Sequence, residues 1–354
     1  MGGWVPKTVL KPDEARLSTR GRNRYFDLLR AAALLRVIVY HTVGWPWLHL
    51  LVPAMGVMFA LAGSLMANSL DRRPPVRVVV SRMRRLLPPV WAFGIVAIAL
   101  GWVAVGAGRH EWFHLLYWVV PLRDPESHSV GFGYVDILWY VRTYLWFVLL
   151  SPVLLIAFRK APVVTLVAPL ALFPAAALTS IFTSTGSGAV VDILGFGTCW
   201  ALGFAAHDGF LARLPVPVCG VVVVALCAVG LTLEISYPFG ASGSTGPVFI
   251  GYALWSAAWV LVLMRWNPDM SWMNKTGWLK NAITVINARA VTIYIWHDAA
   301  IAVIAMSLHA ARVHVSHVAE VPAVLLLTGL AVLAFGWVED LAARRRPVLL
   351  PRAV

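Results

Sequence analysis

The sequence predicts an all-α, polytopic integral membrane protein of about ten transmembrane helices, with both termini in the cytoplasm. Three observations carry this reading. First, 60% of the 354 residues are hydrophobic and only 13% are charged, with a mean hydropathy of +0.77. A soluble chain usually carries about a quarter charged residues, so the deficit points to lipid. Second, apolar runs of about 20 residues, long enough to span a bilayer as a helix, recur along the chain. Third, lysine and arginine alternate between the connecting segments as the positive-inside rule requires.

The elements follow in order. Segment 26–45 leaves a basic tail carrying Lys7, Lys11, Arg16, Arg20, Arg22 and Arg24 and runs outwards. Segment 48–68 returns to Arg72, Arg73, Arg77, Arg82, Arg84 and Arg85, and 87–107 runs out to Arg109 and Arg123. Between them and the next span, 112–121 (WFHLLYWVVP) is too short to cross, and its aromatic content suggests an interfacial or re-entrant helix. Segment 135–157 returns to Arg159 and Lys160, 162–182 runs out to the polar joint STGSG, and 189–206 comes back towards Arg213. Segment 216–235 runs out to FGASGSTG, and 247–265 returns to Arg265, Lys275, Lys280 and Arg289. Segment 284–308 runs out to Arg312, and 320–341 ends before Arg344, Arg345, Arg346 and Arg352. In this arrangement 23 of the 29 basic residues lie inside, three lie outside, and Arg30, Arg36 and Arg142 fall within spans.

The same asymmetry accounts for the net charge of +13 and removes the need for a nucleic-acid partner. Cys199, Cys219 and Cys227 lie in or beside apolar runs, with neither metal-ligand spacing nor a disulfide framework. The N-terminus shows no removable signal peptide. The expected organisation is a basic cytoplasmic tail over 1–24, a membrane domain over 25–343 and a basic cytoplasmic tail over 344–354.

The first span, RYFDLLRAAALLRVIVYH, carries ionisable groups that cost a few kcal/mol each in hydrocarbon unless they face a cavity or a partner. At about 100° per residue, Arg30 and His41 differ by about 20° and share a face, about 16 Å apart along the axis. Asp27 is placed to approach Arg30 at i,i+3, and Arg36 points about 240° away from Arg30. Blander readings stand beside a functional one. Arg30 suits an anchor that snorkels to the interface, His41 a hydrogen-bonded histidine, and Arg36 an ion pair with an acid elsewhere. In SRMRRLLPPVW, Arg82 and Arg85 share a helical face before the third span. They suit positive-inside flanking or a forked set of phosphate donors. Together these features fit a long ligand with an anionic head in the cytoplasm and a reactive tip deep in the membrane, as in acyl-coenzyme A.

These segments resemble the acyltransferase 3 family of polytopic membrane acyltransferases. Arg30-x10-His41 matches that family's arginine–histidine spacing, and Arg82-x-x-Arg85 its basic motif ahead of the third helix. MGVMFALAGSLMA, DILWYVRTYLWFVLLSP, VTIYIWHDA and FGWVEDLAARRR resemble its second helix and later segments. Ala62 and Ser64 depart from the family's usual serine directly before the glycine. Arg36 stands where an apolar residue is usual. No hydrolase-like domain is appended, which suggests a stand-alone module that transfers directly to its acceptor.

The resemblance implies O-acyl transfer, most often acetyl, from cytoplasmic acyl-CoA to a hydroxyl of a glycan, glycolipid or glycosylated natural product in the plasma (inner) membrane of a bacterium, without a metal. On that reading His41 is the general base, Asp27 the partner of Arg30, and Arg36 a candidate for stabilising the oxyanion. Arg30, Arg82 and Arg85 hold the CoA phosphates. Arg142, His297 and Asp298 face the acceptor, although an ion pair suits Arg142 and an interhelical hydrogen bond suits His297 equally well. Glu339 and Asp340 read as surface charges. The rival function is a transporter, which also uses intramembrane His, Arg and Asp, but it predicts repeat symmetry that the sequence does not show.

Overall fold

The computed structural model describes residues 23–105, 116–123, 137–177, 188–236 and 247–351. The N-terminal tail over 1–22, the joints STG and FGASGSTG, residues 112–115, Arg109, Asp136 and Arg352 lie outside the described residues.

Every regular element among the described residues is helical. The principal helices are α1 Arg24–Val43, α2 Ala54–Leu70, α3 Pro75–Val105, α4 Leu138–Lys160, α5 Pro162–Ala177 and α6 Gly188–His207. They continue as α7 Val216–Ser236, α8 Pro247–Arg265, α9 Gly277–Ala288, α10 Ala290–Ala311, α11 His317–Phe335 and α12 Trp337–Ala342. Six of them, α3, α4, α6, α7, α10 and α11, are long and apolar enough to cross a membrane. Shorter apolar helices occupy 54–70, 162–174 and 249–265. Each of the ten apolar segments thus contains a helix, including α1, whose length carries Asp27, Arg30 and Arg36.

Local sequence sets the ends. Asn23 caps α1 by accepting from the Phe26 N–H at 3.2 Å, and Gly44 closes it at φ 70°, where a residue with Cβ is strained. Pro53 breaks the expected 48–68 span into a turn at Leu48–Leu51 and α2. α3 departs most from expectation. It begins at Pro75 rather than near residue 87, because proline at the first helical position loses no hydrogen bond. Its 31 residues reach about 46 Å, beyond a hydrocarbon core of about 30 Å. Arg82, Arg84 and Arg85 therefore lie inside this helix, not ahead of it. The Leu116–Val119 turn packs on α3, with Trp118 buried against Gly94.

α2 and α6 form the centre. Their backbones touch: a Cβ on Gly63 would lie 2.3 Å from the Trp200 carbonyl oxygen, and one on Gly203 would lie 2.1 Å from that of Ala60. Small residues permit this approach, which is how helices in lipid gain packing energy. Phe59, Phe147, Phe196 and Trp200 fill the surrounding core. α7 packs on α8 and exposes Val221, Val224 and Val229. At the basic end, Arg159 bridges Asp71 and Asp208 at 2.9 Å each, tying α2, α4 and α6 together. The Arg159 hydrogen bond holds the Asp71 carboxyl below its ordinary range.

Two expected spans are divided. The 284–308 segment breaks at Arg289 into α9 and α10, and the final one breaks at Gly336 into α11 and α12. Glu339 and Asp340 lie past that break and are not surface charges. Asp340 is buried, and Glu339 accepts from the Thr292 N–H and hydroxyl at 2.8 and 2.6 Å, capping α10 from a separate helix.

Candidate active site

α1 and α10 pack together and bring three of the expected site residues to one point. His297 lies on the inward face of α10 and is fully buried, with Asp298 beside it. His41, on the last turn of α1, stands 3.2 Å from His297, measured from Nδ1 to Nε2, and 3.9 Å from Asp298 Oδ1. About a third of the His41 side chain (33%) and a quarter of Asp298 (26%) remain accessible. His41 and Asp298 therefore reach the protein surface, while His297 behind them is closed.

The hydrogen bonds fix a direction. His297 Nδ1 lies 2.6 Å from the Tyr294 carbonyl oxygen, which can only accept, so Nδ1 carries the proton. In the neutral ring Nε2 is then an acceptor, and it faces His41 Nδ1. His41 Nδ1 accordingly donates, which leaves the lone pair on His41 Nε2 as the free base. Asp298, 3.9 Å from His41 Nδ1, is placed to stabilise the imidazolium formed when that base takes a proton. A hydrogen-bonded partner that sets the tautomer of a catalytic histidine is a recurrent solution to this chemistry.

Arg36 points elsewhere from Arg30, as the helical geometry requires, but it acts on the same centre. Its Nη2 donates to the Leu48 carbonyl at 2.7 Å, its guanidinium lies over the Tyr40 ring, and it is within electrostatic range of His41. Its Nε is buried with no hydrogen-bond partner among the described residues. The ion pair expected of Arg36 is replaced by a carbonyl and a ring.

Arg30 lies about three turns away along α1, among Tyr140, Asp27, Tyr144 and Arg82. Asp27 is thus near Arg30, and its backbone carbonyl is tied to Asn287 Nδ2 at 2.8 Å. Arg82 is braced by α2, donating from Nη2 to the Leu65 carbonyl at 3.0 Å and to the Ser69 hydroxyl at 2.9 Å. Arg85 is exposed nearby, within electrostatic range of Arg82 and Arg84. Between the arginine group and the histidine group runs an aromatic column of Tyr144, Tyr140 and Tyr294, which ends against His297.

A family model for the acyltransferase domain of acyltransferase 3 proteins matches residues 23–338. The chain belongs to the acyltransferase 3 family. No curated protein and no solved structure matches it. Membership supports membrane acyltransferase activity in general terms.

Arg142 takes a different place from its fellow candidates. It is buried in an ion pair with Asp192 of α6, which also accepts from the Thr143 hydroxyl at 3.1 Å. Asp192 escaped the sequence reading, although a lone acid in the apolar run 189–206 is the kind of residue that marks a polar interior. Tyr140 and Tyr294 were also missed, since nothing in their spacing separates them from interface anchors. Tyr294 donates its hydroxyl to the Ile137 carbonyl at 2.9 Å, which holds α10 to the start of α4.

Proposed function

We propose that this family member is a plasma-membrane O-acyltransferase that moves an acyl group, in the simplest case acetyl, from cytoplasmic acyl-CoA to a hydroxyl of a glycan, glycolipid or glycosylated natural product. One observation carries the reading: an accessible histidine, oriented by a buried histidine and a carboxylate, stands about 16 Å along α1 from Arg30 on the same helix face, with Arg82 of α3 beside Arg30. The basic residues support ten crossings with both ends in the cytoplasm, which puts Arg30, Arg82 and Arg85 on the donor side and His41 towards the outer leaflet.

The reaction follows from those positions. Arg30, Arg82 and Arg85 hold the nucleotide phosphates, and the pantetheine arm runs along Tyr144, Tyr140 and Tyr294 towards His41. His41 Nε2 takes the acceptor's hydroxyl proton as its oxygen attacks the thioester carbonyl. Arg36, whose charge acts on the His41 centre, stabilises the oxyanion electrostatically. The tetrahedral intermediate collapses, the C–S bond breaks, and the proton on His41 goes to the departing thiolate. Asp298 stabilises the imidazolium between these steps. Arg142 serves the acceptor side through its pair with Asp192, by shaping the wall beside Tyr294.

Purified protein in detergent with radiolabelled acetyl-CoA tests this reading. An acyltransferase cleaves the thioester and labels an added acceptor. Intact acetyl-CoA after prolonged incubation with every acceptor class favours the transporter.

A further inference from the structure

The arginines at 344–346 are exposed, and the backbone that carries them is held against the protein. α12 packs on α3. Beyond α12 the chain turns at Arg344, whose φ of 56° is unusual for a residue with Cβ. The Arg345 N–H returns to the Asp340 carbonyl at 2.8 Å. Asp340 then binds Arg289 Nη2 at 2.6 Å and the Val348 N–H at 3.1 Å, while the Val348 carbonyl accepts from Arg289 Nη2 at 2.5 Å. Arg289 is fully buried, and Gly336 makes room for it: a Cβ there would lie 2.8 Å from Arg289 Cδ. Burial opposes the Asp340 charge, but the hydrogen bonds from Arg289 and Val348 outweigh it and hold the carboxyl below its ordinary range.

A buried ion pair thus fixes the backbone of an exposed basic segment. Its effect is to bring Arg345 within electrostatic range of Arg85, which already faces Arg82, Arg84 and Arg73. Every group acting on Arg85 in this set is a cation. Gathering guanidinium groups is unfavourable unless an anion joins them. Arg85 and Arg345 are both exposed, so a ligand can reach them.

We propose that Arg345 is a phosphate-binding residue that completes, with Arg85 and Arg82, a site for a multiply charged organic phosphate between α3 and the C-terminal segment. The proposal rests on the donor reading above, in which that phosphate is the nucleotide end of CoA. An anionic lipid headgroup offers the same chemistry, and the test separates the two.

The full chain in nanodiscs of zwitterionic lipid is titrated calorimetrically with adenosine 3′-phosphate 5′-diphosphate, the nucleotide end of CoA. Arg345→Ala and Arg85→Ala each weaken binding about tenfold, the loss of one charge-assisted contact. Arg213→Ala, on a separate element, leaves binding unchanged. Arg345→Gln provides the same comparison if the alanine variant folds poorly. Wild-type affinity in a folded Arg345 variant, with binding weakened in Arg85→Ala, overturns the proposal and leaves the donor reading standing. No nucleotide binding by the wild type overturns the donor reading itself. In parallel nanodiscs that contain phosphatidylglycerol, loss of that lipid from the Arg345 variant in native mass spectra, with nucleotide affinity intact, assigns Arg345 to a headgroup and overturns its assignment to the donor phosphate.

Discussion

Replacing Asp298 by asparagine removes one charge from the histidine cluster and keeps the side chain's shape. Asp298 Oδ1 lies 3.9 Å from His41 Nδ1. At an effective dielectric of about 20, two unit charges at that distance interact by about 4 kcal/mol. Both side chains are partly open to solvent, at 33% and 26%, and screening reduces the value to about 2 kcal/mol. The interaction exists only while His41 carries the acceptor's proton, so its loss raises the barrier rather than weakening donor binding. Turnover in Asp298→Asn is therefore expected to fall about 30-fold, with CoA affinity unchanged because the arginine group is about 16 Å away. Thioester cleavage at saturating donor, measured with CoA affinity on the same preparation, gives both numbers. A folded Asp298→Asn protein that turns over within about twofold of wild type refutes the electrostatic role and leaves His297 alone to orient the base.

Other consequences are equally specific. Arg142→Ala leaves Asp192 buried without its cation and is expected to cost about 3–5 kcal/mol of stability; the Arg142→Ala/Asp192→Ala double variant recovers part of it in thermal melts. Gly203→Ala places a Cβ 2.1 Å from the Ala60 carbonyl and 2.7 Å from the Ser64 nitrogen, an overpacking of about 1–3 kcal/mol. Gly220→Ala, with nothing within 4 Å, is near neutral in the same assay. Burial pushes the Glu339 carboxyl up from 4.5 to about 7. The folded state then holds a proton that the unfolded chain releases, so stability falls as pH rises through 4.5 to about 7, by about 3 kcal/mol. Melts at pH 5 and 8 should show that slope in the wild type and lose it in Glu339→Gln.

Much of this was legible in the sequence because helical geometry is local. Arg30 and His41 share a face whatever surrounds them, and the apolar segments mark the helices directly. His297 and Asp298 stood out as ionisable groups at membrane depth, and the fold does bring them to His41. What local reasoning lacked was partners distant in sequence. Arg142 finds Asp192 fifty residues on, and Arg289 finds Asp340 fifty-one residues on. Hydropathy merged α9 with α10 and α11 with α12, because the breaks at Arg289 and Gly336 serve buried contacts that no window average detects. It also started α3 late, since arginines lower hydropathy without interrupting a helix.

The central claim is that His41 is the base of an acyl transfer, and turnover of acetyl-CoA by two His41 variants tests it most directly. His41→Ala and His41→Gln are purified, checked for folding and CoA affinity, and assayed with radiolabelled acetyl-CoA and acceptor. Both are expected to bind CoA normally and to lose about 10² to 10⁴-fold in turnover, because glutamine can hydrogen-bond to His297 but cannot take up the hydroxyl proton at neutral pH. A folded His41→Gln protein that transfers acetyl groups at near wild-type rate would contradict the account.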